Sequence, residues 1–174
     1  MAMRMLQAGG VALVTDAVRA PDDDNLDGYF EFEPVKELDK GDDCEWLRGA
    51  RGKAVKVVSW LLTWLPDAHD YRVVFMQRDL DEVIASQNTM LRRRGESGIE
   101  DAAAMRQVYA THLEQVQRFL ERRSCFTTSV VSYRDVVERP AVEAGRLAEF
   151  VQRPLDIDRM AAAVDARRYR NRSG

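Results

Sequence analysis

The stretch YRVVFMQRDLDEVIAS, residues 71–86, does most to decide the fold. Val73, Val74, Phe75 and Met76 form an unbroken apolar run that stops at Arg78, and Ser86 follows eight residues later. Apolar residues at consecutive rather than alternate positions predict a strand covered on both faces, as in a parallel sheet. Asp79 or Asp81 stands where a helix cap is wanted, and Gly95 lies just past the helical pattern over residues 80–94. In open parallel sheets, ligands gather beyond the carboxyl ends of the strands. Arg78 is expected at such an end, with Ser86 two turns into the next helix. Arginine offers a planar fork of donors that suits phosphate oxygens, and a serine hydroxyl adds another hydrogen bond. The spacing leaves two readings open: a phosphate grip, or an Arg78 paired with Asp79 or Asp81 above a small Ser86 packed under the sheet.

Three further runs read as strands of the same kind: VALVT (11–15), AVKVVSW (54–60) and SVVSY (129–133). Between them, Met105, Val108, His112, Leu113, Val116, Phe119 and Leu120 recur at three and four, which places them on one face of a helix over 101–123. A further helix is expected over 141–151, begun by Pro140. Strands that alternate with helices predict an α/β fold of three layers, a parallel sheet flanked by helices. No linker or repeat divides the chain, so residues 1–174 are expected to form a single domain. Residues 20–34 are rich in turn formers and read as the one long irregular stretch.

The composition is that of a soluble globular protein: 174 residues, 45% apolar and 32% charged, with a net charge of −3. That balance argues against a general nucleic-acid binder. Cys44 and Cys125 are far apart and lie in no metal-ligand or CxxC spacing, which points to free thiols in a reducing, cytoplasmic setting. The opening MAMRMLQAGG is too short in apolar content for a signal peptide or a membrane span. Asp22, Asp23, Asp24 and Asp27 lack the spacing of a calcium loop, and no metal is expected. Arg92, Arg93 and Arg94 read as a solvated helix end, and His112, on the apolar stripe, as a core histidine. His69 lies in a turn with no partner suggested by spacing.

KVVSWLLTWLP (56–66) followed by YRVVFMQRDLDEVIAS resembles the matching region of the P-loop sulfotransferases, which use 3′-phosphoadenosine 5′-phosphosulfate (PAPS). VVSYRDVVERPAVEAGRLAEFV (130–151), DNLDGYFEFE (24–33) and the closing MAAAVDARRYRNR (160–172) extend the resemblance over nearly the whole chain. It implies a P-loop NTPase-like fold. It also implies that Arg78 and Ser86 hold the 3′-phosphate of PAPS, that Tyr133 lies near the adenine, and that Lys56 sits at the point of sulfuryl transfer to a hydroxyl or amine.

The family's phosphosulfate loop, P-R-S-G-T-[ST] after a first strand, is not found in the sequence, and MAMRMLQAGG is similar to the helix that comes after it. On this comparison the first strand and P-loop are missing. Incomplete pairing then leaves gaps or edges in the sheet, which invites self-association. The cytosolic members' Lys-Thr-His is here Lys56, Val57 and Val58, so Val58 cannot serve as the base. Asp16 is the candidate substitute and Glu31 the reserve, while Asp16 suits equally well as a cap for the next element of the chain. Two other classes remain: a catalytically inactive nucleotide-binding or interaction protein, and another P-loop phosphotransferase.

Overall fold

The computed structural model describes residues 1–16, 30–41 and 44–165. The acidic run Asp22–Asp27 and the arginines at 167–172 lie outside the described residues, as does most of the irregular stretch over 20–34. Along the chain come α1 (Ala2–Ala8), β1 (Leu13–Val14), α2 (Glu33–Lys36), α3 (Trp46–Gly49), β2 (Ala54–Val55), β3 (Tyr71–Gln77), α4 (Leu80–Arg93), α5 (Ala102–Arg122), β4 (Phe126–Ser132), α6 (Tyr133–Glu138), α7 (Pro140–Val151) and α8 (Ile157–Ala162). The chain is thus mixed α/β. Short 3₁₀ turns cover Leu38–Lys40 and Ser59–Trp64.

Capping chemistry sets the helix starts. Asp79 accepts the N–H groups of Asp81 and Glu82 at the head of α4, and Gly95, with φ 72°, follows its end. Asp101 and Asp156 accept N–H groups in the first turns of α5 and α8, at 2.8 and 2.9 Å. Ser132 does the same for α6, and Pro140 occupies the first turn of α7.

Among the described residues the strands pair in parallel, but in two separate pairs. Leu13 and Val14 face Ala54 and Val55, while β3 and β4 run in register from Tyr71↔Phe126 to Gln77↔Ser132. Successive side chains of β3 point to opposite faces, and both faces are covered. Phe75, with Val73 and Tyr71, joins Val116 and Leu120 of α5 in one core, which also takes in Leu62, Leu65 and Val55. Val74 and Met76 face a second core of Met5, Val131, Val136, Ala144, Leu147 and Met160, supplied by α1, β4, α6, α7 and α8. This two-faced burial explains the unbroken apolar run at 73–76.

The first two strands are shorter than expected. VALVT pairs only at Leu13–Val14, and AVKVVSW only at Ala54–Val55, after which the chain turns into the 3₁₀ segment. Tertiary contact decides against the extended form there: Trp60 stacks on His112 of α5, with ring centroids 3.5 Å apart. Among the described residues, no helix is long and apolar enough to cross a membrane.

Candidate functional site at the carboxyl ends of the third and fourth strands

Because Gln77 pairs with Ser132, the next residues along the two strands, Arg78 and Tyr133, leave the sheet side by side. Each strand is stopped by a cap, Asp79 on one and Ser132 on the other. The Arg78 guanidinium carbon lies 5.0 Å from the centre of the Tyr133 ring, within cation–π range. Two residues far apart in sequence are thus brought together by register.

Arg78 turns to Glu82 rather than to the two aspartates nearer it in sequence. Its Nε donates to Glu82 Oε2 at 3.2 Å, one helical turn on. Asp79 is turned to its own helix N–H groups, and Asp81 faces Arg106 at 3.3 Å. Glu82 is buried, its side chain 2% exposed, and its other oxygen lies 3.7 Å from Arg134 Nη2 on α6. Sequence reasoning passed over both Glu82 and Arg134. The available signal was a carboxylate at Glu82 in the first turn of a helix whose cap, Asp79, directly follows Arg78. Ser86 comes one turn after Glu82 and is half-buried.

The other sequence-derived candidates lie elsewhere on the chain. Lys56 follows β2 directly and is half-buried. Asp16 Oδ2 accepts the Glu33 N–H at 2.6 Å, in the first turn of α2, while the Asp16 N–H donates to the Glu31 carbonyl at 3.0 Å. Glu31 pairs with Lys36 at 3.1 Å, and Glu33 pairs with the same lysine at 2.6 Å. Hydrogen bonds that Lys36 donates, first to Glu33 and then to Glu31, raise its pKa.

His112 is buried on α5, where its Nε2 and the Ser59 hydroxyl share a hydrogen bond at 2.9 Å. Burial lowers its pKa below the ordinary 6.5, so the ring is neutral at pH 7. The pairing spans 53 residues, and nothing in the local pattern announced it. Cys44 and Cys125 are thiols rather than disulfide partners and lie at the margin of the first core. Among the described residues, no cluster of three or more His, Cys, Asp or Glu side chains could hold a metal.

The arrangement at the strand ends can bind an anion beside a flat ring: a guanidinium of fixed orientation, a second guanidinium close by, and an aromatic face. No family model, curated protein or solved structure matches the chain.

Proposed function

We propose that the chain binds a 3′-phosphorylated adenine nucleotide at the carboxyl ends of β3 and β4, as a sulfotransferase-like protein using PAPS. The observation that carries this reading is the Arg78 guanidinium lying 5.0 Å from the Tyr133 ring. Phosphate and adenine of one nucleotide need such neighbours. In this reading Arg78 and Ser86 hold the 3′-phosphate and Tyr133 flanks the base. The separate β1–β2 and β3–β4 pairs suit a P-loop-type sheet in which a further strand lies between β2 and β3.

Sulfuryl transfer breaks the bond between sulfur and the bridging oxygen of the phosphosulfate and forms one to an acceptor hydroxyl or amine. The acceptor's proton passes to a base, with Asp16 or Glu31 as candidates. Lys56 would neutralise charge developing on the departing phosphate. The reaction also requires a cradle for the 5′-phosphosulfate, whose donors each supply roughly a hundredfold in rate. Capping of α2 by Asp16 favours a second reading, nucleotide binding without transfer. PAPS turnover distinguishes the two.

Calorimetric titration with adenosine 3′,5′-bisphosphate tests the binding. Hydrogen bonds to charged groups contribute about 1.5–3 kcal/mol each, so Arg78→Ala should weaken binding at least about tenfold. Arg78→Lys, which keeps the charge without the fork, should recover part of it. A folded wild-type chain that fails to bind, or binding indifferent to Arg78, would sink the reading.

A further inference from the structure

Three polar or charged side chains are buried among the described residues: His112, Glu143 and Glu82. His112 is explained by Ser59 and Trp60, and Glu143 by Arg146 at 2.8 Å. Glu82 differs because it lies at the strand ends and is approached by guanidinium groups from two elements. A buried carboxylate is tolerated only when its charge is paired and its oxygens are hydrogen-bonded. Here Oε2 takes Arg78 Nε at 3.2 Å and Oε1 faces Arg134 Nη2 at 3.7 Å.

We propose that Glu82 is a positioning residue that gathers Arg78 and Arg134 into one two-arginine site for the 3′-phosphate monoester of the nucleotide. This rests on the nucleotide reading above and extends it with Arg134 as a second phosphate contact. Arg78 is held by its Nε edge and backed by the Tyr133 ring. A guanidinium fixed in this way can still turn its Nη edge to a ligand. Arg134 is half-exposed, its side chain 50% accessible, and it comes from the first turn of α6 next to Tyr133. Arg78, Arg134 and Glu82 together carry one net positive charge, and a monoester dianion with three terminal oxygens can accept from both forks. Diesters and neutral sugars cannot match that charge and donor count.

The test turns on a sign. If Glu82 were merely a negative charge near the site, Glu82→Gln would remove repulsion and tighten phosphate binding. A positioning carboxylate predicts the opposite. Glutamine keeps one acceptor oxygen and presents an amide donor to the second arginine, so one fork loses its anchor. Adenosine 3′,5′-bisphosphate affinity should then fall about fivefold or more despite the gain of positive charge, with adenosine 5′-monophosphate little affected. Arg134→Ala, at an exposed position that does not threaten folding, should weaken the bisphosphate about tenfold and spare the monophosphate.

Circular dichroism and thermal melting establish that each variant is folded, and calorimetry reads the affinities. Selective loss in both variants supports the proposal. If wild type binds in an Arg78-dependent way while Glu82→Gln binds as tightly or more so, or Arg134→Ala is unchanged, the proposal is overturned and the nucleotide reading stands. Failure of folded wild type to bind overturns both.

Discussion

Gly9→Ala should destabilise the protein, and the same substitution should stabilise it once Met160 is shortened. Gly9 ends α1 with φ −74° and ψ −4°, a conformation open to any residue, so backbone freedom does not explain glycine there. Close approach does. A methyl group at Gly9 would lie 2.7 Å from both Cγ and Sδ of Met160 and 3.3 Å from Cβ of Leu155, against an ordinary carbon contact of about 3.5–4.0 Å. Met160 is fully buried, and the Asp156 N–H donates to the Gly9 carbonyl at 3.2 Å, which pins α8 to the end of α1.

Two terms oppose each other. Alanine restricts the unfolded chain, a gain of about 0.4–1 kcal/mol, whereas overpacking costs about 1–3 kcal/mol. The clash wins over nearly all of these ranges, for a net loss of up to about 2.6 kcal/mol, or up to about 10 °C in Tm at this chain length. Met160→Ala alone should cost about 2–5 kcal/mol. In that background the clash with Met160 is gone and the 3.3 Å approach to Leu155 remains, so Gly9→Ala should recover up to about 0.4–1 kcal/mol. Thermal melts of the four proteins, with sucrose present to keep the Met160 variants folded, complete the cycle. An effect of Gly9→Ala with the same sign in both backgrounds would refute the packing argument.

Two other outcomes concern the site's surroundings. Burial lowers the His112 pKa below 6.5, so the unfolded chain takes up this proton before the folded protein does. The stability from a neutral His112 is complete above pH 6.5 and is lost as pH falls through the window down to the folded value, at up to about 1.4 kcal/mol per pH unit. Urea melts should show that slope in wild type, and its persistence in His112→Gln would contradict the assignment. Asp16→Ala should cost about 0.5–2 kcal/mol by orphaning the Glu33 N–H, while Asp16→Asn, which keeps an acceptor oxygen, should cost much less; equal losses would rule out the capping role.

What the sequence disclosed was local. The cap of α4, Asp79 of the two aspartates offered, the glycine after it, the His112–Val116–Leu120 part of the α5 stripe and the Pro140 start of α7 each depend on neighbours within one or two turns and are found where the pattern placed them, whereas Val108 of the expected stripe is exposed. The lengths of β1 and β2 were not legible, because a strand persists only where another strand accepts its ladder, and among the described residues each of these has one short partner. Met160 was read only as part of a chain tail, yet it is fully buried where α1 meets α8. The site divides in the same way. Arg78 at a strand end could be read from its own segment, whereas its contact with Tyr133 required the β3–β4 register.

The acidic turn at the head of α4 shows why residue type alone could not assign the charges. Asp79, Asp81 and Glu82 all lie within reach of the same helix start, where carboxylates are favoured by unpaired N–H groups and the helix dipole. Asp79 spends its side chain on the cap. Asp81 and Arg106 are both more than half exposed, so their pairing adds little to stability. Of the three, Glu82 is the one that is buried and faces the arginines. With carboxylates already occupying the positive end of α4, attraction for a phosphate at these strand ends must come from guanidinium groups rather than from the helix dipole. The orientation of Arg78, more than the presence of a helix start, therefore sets what this end of the molecule can bind.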